Sequence, residues 1–185
     1  SDVRLVSTGK GKTTCSFFFP DGQRFVYAST HLGDAGCPPP PDRSHGYIWP
    51  LYSDYDIFAA PVEGGSPTRL TDTPGYDAEA AVSPDGSRIV FTSVRDGDLE
   101  LYTMKPDGSD VKRLTKRVGF DGGPFYSWDG TKIVWRANYL EKPEEIAEYR
   151  ELLGRNLMRP TRAEVYFMNA DGSGQTQVTR SGDAN

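Results

Sequence analysis

The chain has 185 residues, a formal net charge of −5, 36% hydrophobic and 12% aromatic residues. That suffices for a sizeable core, and the acidic balance without a basic cluster argues against nucleic acid and anionic membrane surfaces as partners. No apolar run approaches the ~18 residues of a membrane span.

In chain order, "RLVS" at 4–7 reads as an outer strand. "GKGKTT" at 9–14 imitates the end of a phosphate-binding loop, but Val6 stands where that motif needs glycine, and "CSFFF" reads as strand rather than helix. "FPDGQRFVYAS" at 19–29 is a tight turn entering a strand. Residues 31–54 form an insertion rich in proline and aromatics, expected to be an ordered extended loop. The middle of the chain gives the clearest unit: "AEAAVS", a PDG turn, "RIVFTS", "RDGD", "LELYTMK", "PDGSD" and "VKRLT". Its short runs of Val, Ile, Phe, Tyr and Thr between Asp-Gly turns are antiparallel strands joined by hairpins. A second insertion covers 138–162, where "KPEEIAEYRELLGRN" reads as a helix, with Pro143 at its first position and Gly154 at its stop. Ile146, Tyr149 and Leu153 share one helical face, with Leu152 alongside; that face either packs on the rim or docks a partner.

The unit repeats. Turn residues Asp21–Gly22, Asp85–Gly86 and Asp129–Gly130 have aspartates 64 and 44 residues apart, while Thr71, Thr115 and Thr179, which close the "RLT"-type phrases, lie 44 and 64 apart. Each "RLT" threonine that precedes a turn stands 14 residues before its aspartate. The 44-residue module of four strands predicts an all-β fold, a β-propeller of antiparallel four-stranded blades with one short helical insertion. Three blades fall at about 13–71, 77–115 and 121–179 of a partial propeller domain spanning 1–185. Residues 1–7 read as the outer strand of a preceding blade and 180–185 as the start of a following one. A propeller closes with about four to eight blades, so three imply either the remaining blades of a longer propeller or self-assembly of two arcs through open edges. A chain that starts within a blade carries no information about a signal peptide.

The phrases "SPDGSRIVFTS", "LELYTMKPDGSDVKRLT" and "EVYFMNADGSGQTQVT" resemble the PD40, or TolB-type, propeller repeat, and "YDAEAAVSPDG" with "GFDGGPFYSWDG" is similar to secreted bacterial TolB-like proteins. The resemblance implies six blades in the complete protein and an exported protein, periplasmic or extracellular. Trp128 departs from the motif, which has proline there.

Both insertions connect the second and third strands of a blade, so they emerge on the face that also carries the connections between blades. Asp77, Glu79 and Asp121, on innermost strands, are expected near the channel mouth on that face, with His31, His45 and Trp49 from the first insertion. Asp77 and Asp121 have two roles open to them: oxygen ligands for a cation such as Ca²⁺, or acceptors for neighbouring backbone and arginine. No other cofactor is expected. Cys15 on an inner strand and Cys37 in the insertion are a candidate disulfide in an exported protein. A zinc site from His31, Cys37 and His45 lacks the usual ligand spacing, and two unpaired thiols complete the alternatives. No G-x-S-x-G is present, and the two histidines sit in one loop, so no catalytic motif is found. The reading is a non-enzymatic scaffold that binds a protein or ligand through the insertion face. The alternatives are a gating propeller of a serine peptidase or other hydrolase, and a structural subunit assembling through open edges.

Overall fold

The computed structural model describes residues 3–40, 44, 46–160 and 162–181. Three four-stranded antiparallel sheets follow one another along the chain. The first is β1 (Thr13–Phe18), β2 (Arg24–Ser29), β4 (Asp56–Pro61) and β5 (Thr68–Arg69). The second is β6 (Asp77–Val82), β7 (Ile89–Ser93), β8 (Glu100–Met104) and β9 (Lys112–Arg113). The third is β10 (Gly119–Tyr126), β11 (Lys132–Tyr139), β13 (Glu164–Asn169) and β14 (Thr176–Gln177). Between β2 and β4 lies the short β3 (Trp49–Pro50), and between β11 and β13 lie α1 (Pro143–Gly154) and β12 (Leu157–Met158).

The PDG turns are built by the aspartate. In each, Oδ1 accepts the backbone N–H two residues on: Gln23 to Asp21 at 2.8 Å, Ser87 to Asp85 at 3.0 Å and Thr131 to Asp129 at 3.0 Å. The glycine then takes the left-handed conformation the turn demands, φ +72° at Gly86 for example. Hydroxyls of Ser83 and Ser127 also donate, so Asp85 and Asp129 are pushed down to about 2. Trp128 enters the same turn as proline does in its sister and is 99% exposed, so the replacement leaves the turn intact and its ring unused.

Sheets stack face to face, and strand burial records which faces are covered. In β7 every residue is buried: Ile89 and Phe91 face blade one, packing with Val26 and Ile57 there and with Tyr102 of their own sheet, while Val90 faces Ile133, Trp135 and Tyr166 of blade three. In β11 burial alternates, with Ile133, Trp135 and Ala137 inside and Val134 and Arg136 outside, because blade three has a neighbour on one side. Blade one's far face is an aromatic layer of Phe25, Tyr27, Phe58 and Ala60, against which Val6 packs. Residues 4–7 are not a strand; they are held along blade one by Arg4, whose guanidinium donates to the Val62 carbonyl at 2.7 Å and the Glu63 carboxylate at 3.0 Å. Arg180 and Ser181 carry no strand, and 182–185, like residues 1 and 2, lie outside the described residues.

The insertions meet each other. Met158 pairs with Trp49 and Leu157 with Pro50, so β12 and β3 form a two-stranded ribbon, and the Leu51 N–H donates to the Asn156 carbonyl at 2.7 Å. Beneath it Leu51, Leu99, Phe120, Tyr149 and Met158 form a satellite core, flanked by Trp49, Val94, Leu140 and Leu153. The helix is therefore a structural member of the rim. Its Tyr149 hydroxyl donates to Asp98 at 2.6 Å, with the Gly119 carbonyl 3.0 Å from the same oxygen. Gly154 is the last helical residue rather than the stop; Asn156 takes the left-handed position, φ +55°. Asparagine tolerates that conformation better than most residues.

Removing side-chain volume at the seam between blades two and three has a large cost. Ile133→Ala is expected to lower unfolding free energy by about 2–5 kcal/mol, whereas Trp128→Ser at the exposed turn changes it by less than ~0.5 kcal/mol. Urea titration of the two variants checks the contrast.

Candidate functional site

Each inner strand carries the same irregularity. Pairing slips between Thr14 and Phe17 in β1, between Ala78 and Ala81 in β6 and between Gly122 and Phe125 in β10. At each bulge one residue has left-handed backbone: Cys15 at φ +47°, Glu79 at +58° and Gly123 at +60°. A non-glycine residue held there costs about 1–2 kcal/mol, so two of the three sites are strained, and bulges of this kind re-aim a side chain. Glu79 shows the result. Its Oε2 accepts the Gly123 N–H at 2.8 Å and the Thr92 hydroxyl at 3.0 Å, tying the bulge of one blade to the bulge of the next. The backbone of Glu79 in turn contributes a hydrogen bond to the Cys15 thiol.

Beside these bulges opens a cleft of about 490 Å³, walled by Phe17, Phe125, Val134 and Val165 with Cys15, Glu79 and Arg136 as its chemistry. Arg136 is the organiser. Its guanidinium lies 3.7 Å from the Glu79 carboxylate, 5.1 Å from the Trp49 ring and 5.6 Å from Phe120. Cation–π contact with two rings fixes its direction while leaving it about half exposed. Trp49 meets Phe120 edge to face at 6.3 Å, and Tyr47 meets Trp49 likewise at 6.3 Å. Two of the sequence candidates, Glu79 and Trp49, are thus brought together through Arg136, which the sequence alone did not single out. Its signal was present in the alternation of β11, where an arginine occupies an outward position between two inward-facing side chains.

The other candidates are elsewhere. Asp77 is buried and chelated by Arg95 at 3.0 and 3.2 Å. Asp121 is buried, and its Oδ1 accepts from Trp135 Nε1 at 2.6 Å and the Tyr139 hydroxyl at 2.7 Å. Burial raises both carboxyls, and for Asp121 the nearby Glu100 charge adds to the effect. Of the two roles open to this pair, the geometry displays the acceptor role, and among the described residues no group of three His, Cys, Asp or Glu is gathered for a cation. His31 packs against Phe58 with ring centroids 4.4 Å apart and planes tilted by 45°, its Nδ1 lies 2.9 Å from Ser29 Oγ, and burial pushes its ring below the usual value. His45 lies outside the described residues. The cysteines form no bridge: Cys15 and Cys37 are both free thiols, the first on the axial bulge and the second in the proline-rich loop.

These features define a class: an arc of propeller blades whose second-to-third-strand insertions build a platform beside the axial opening. Residues 51–147, just over half of the chain, match the family model described as the TolB beta propeller domain, PD40. The chain belongs to the TolB β-propeller family. Among solved structures it is similar to a putative TolB of Agrobacterium tumefaciens, at 23% identity and TM-score 0.68, covering 94% of this chain and 51% of that one. A TolB of Acinetobacter baumannii matches at 20% identity and TM-score 0.52, covering 91% and 43%. A puromycin hydrolase matches at 14% identity and TM-score 0.58, covering 91% and 22%. The chain thus spans about half the length of the TolB structures it matches.

Thiol chemistry tests the cysteine assignment. Desolvation raises the Cys15 thiol, so iodoacetamide at neutral pH is expected to label the exposed Cys37 first and Cys15 more slowly, both without reductant. An intact mass two units short, with neither thiol labelled, would show a bridge instead.

Proposed function

We propose that this propeller is a non-enzymatic binding scaffold, exported to the periplasm or beyond, that takes a protein or peptide ligand at the axial cleft and the insertion platform beside it. The observation that carries the reading is Arg136, held half exposed between Glu79 and two aromatic rings at the lip of an apolar cleft. A concave apolar volume of this size with a few convergent polar groups is what ligand sites look like. Its chemistry calls for an apolar side chain entering between Phe17, Phe125 and Val134, and an acceptor oxygen meeting Arg136. Membership of the TolB propeller family is the setting of this reading, and no helix among the described residues is long and apolar enough to cross a membrane. The hydrolase reading places the chemistry on a domain beyond these residues, and the likeness to puromycin hydrolase extends to fold alone.

One observation favours assembly as a second reading. Blade three's open face exposes Val134, Phe167 and Val178 at 40%, 36% and 52%. A concentration-independent monomer in light scattering would remove that reading.

The binding proposal is tested with a peptide-display selection against the chain, followed by calorimetry on a selected peptide. Arg136→Ala is expected to weaken binding at least about tenfold, or ~1.4 kcal/mol, while Trp128→Ser on the turn face leaves it unchanged. Peptides that bind both variants as well as the parent chain would sink the proposed site.

A further inference from the structure

Two joints between blades each bury a pair of carboxyls: Asp56 with Asp77, and Glu100 with Asp121. They are built on one plan. The threonine closing the outer strand accepts a backbone N–H through Oγ1, from Ile57 to Thr71 at 2.9 Å and from Leu101 to Thr115 at 2.8 Å. Thr71 Oγ1 donates to Asp56 Oδ1 at 3.4 Å, and in both joints the threonine hydroxyl lies close enough to both carboxyls to bear on their ionisation. A hydroxyl has one hydrogen, so it can donate to one carboxylate only.

The joints differ in cations. At the first, Arg69 pairs with Asp56 at 2.6 Å and Arg95 with Asp77 at 3.0 Å, two charges against two. At the second, Arg113 pairs with Glu100 at 2.6 Å, and the place of Arg95, eighteen residues beyond the inner-strand aspartate, is taken by Tyr139. Asp121 therefore receives neutral donors alone, Trp135 and Tyr139. The surrounding groups do not supply the missing charge. Arg117 stacks on the Tyr139 ring at 3.9 Å, Arg113 also reaches Asp96 at 3.4 Å, and Asp98, whose charge bears on Glu100, is held by Tyr149. Tyr166 packs nearby as a neutral ring. Glu100 and Asp121 are both fully buried, and each keeps one oxygen, Oε2 and Oδ2, without a partner among the described residues. Two buried carboxylates with one guanidinium between them cannot both stay ionised cheaply.

We infer that Glu100 and Asp121 share one proton in the folded protein at neutral pH, so that the joint between blades two and three is a proton-dependent lock under the insertion platform. The connection to the platform is direct. The Asp121 N–H donates to the Leu99 carbonyl at 3.0 Å, Leu99 belongs to the core under the ribbon, and the Tyr149 hydroxyl donates to Asp98 beside the Gly119 carbonyl. The inference stands whether or not the cleft binds a peptide.

The sign follows from linkage. Unfolded carboxyls lose their protons near pH 4, while the folded pair retains one. Above that pH the native state binds the extra proton, so stability falls as pH rises until the folded pair ionises. The experiment measures urea unfolding of the parent chain and Asp121→Asn from pH 5 to 9. The substituted amide is permanently neutral and keeps the acceptor for Trp135 and Tyr139. The ratio of unfolding constants, parent over variant, is expected to climb about tenfold per pH unit over the window in which the proton is held; contributions from His31, Asp56 and Asp77 are common to both and cancel. At neutral pH an infrared carbonyl stretch of a neutral carboxylic acid should appear in the parent and vanish in the variant. If Asp121→Asn does not fold, Glu100→Gln is expected to give the same climb in the ratio. A pH-independent ratio, or no neutral-acid band, would overturn the inference. So would a rise in Tm with added sodium or calcium that Asp121→Asn abolishes, which would put a cation where the proton is placed.

Discussion

The structure depends on keeping polar backbone satisfied where one blade hands the chain to the next. At each joint the chain leaves an outer strand and dives to an inner one, so an N–H near the start of the third strand has no sheet partner in the ordinary ladder. A threonine side chain accepts it: Thr71 from Ile57, Thr115 from Leu101 and Thr179 from Val165, at 2.9, 2.8 and 2.9 Å. An unpaired buried N–H costs about 1–3 kcal/mol, which is why the hydroxyl recurs at a fixed place. Valine would keep the shape and lose the acceptor. The same threonines then hold the acids that begin the third strands, Asp56 and Glu164 among them, and each of those acids faces the outer strand's Arg69 or Thr179. Backbone satisfaction and strand order are thus one arrangement seen three times, and in the first two blades an outer-strand arginine, Arg69 or Arg113, faces the acid.

Given that arrangement, the centres of the faces between blades can be apolar. Ile89 and Phe91 on one side of β7 and Val90 on the other are each buried because the polar demands are met at the strand ends. The inner ends are treated differently. There the bulges at Cys15 and Glu79 re-aim their side chains, and the Glu79 carboxylate joins neighbouring blades by accepting the N–H of the bulge glycine Gly123. Strain at the axis is tolerable because the flanking seams are fully packed.

Much of this was legible in the sequence, for a physical reason. The PDG turns and the "RLT" threonines act through local bonds, two to fourteen residues apart, so their spacing alone carries the blade plan, and the helix start at Pro143 is equally local. What escaped was long-range. The pairing of Met158 with Trp49 joins insertions that share no motif, and nothing in either segment announces the other. The carboxylates looked alike as members of a ring at the channel mouth, but burial separates them: Glu79 reaches the axis from a bulge that only three-dimensional register reveals, while Asp77 and Asp121 turn into the joints. Arg136 was hidden for the same reason, since its importance lies in rings supplied by Trp49 of the first insertion and Phe120 of the neighbouring inner strand.

The difference between the two joints also bears on how the platform is held. The first joint is closed by two ion pairs, Asp56 with Arg69 and Asp77 with Arg95, whose strength depends on desolvation and little on pH near neutrality. The second replaces one arginine by Tyr139 and so accepts a carboxyl through neutral donors. Tyr139 also packs edge to face on Tyr166 at 5.1 Å and carries Arg117 on its ring, so the substitution adds apolar contact to the seam that supports the ribbon and helix. An arginine there would bring a second charge into a layer containing Trp135 and Tyr166. Burying a guanidinium against those rings requires an ionised Asp121 at all times, whereas tyrosine permits a neutral pair. The apolar seam under the platform and the uneven charge count beside it are consequences of the same replacement.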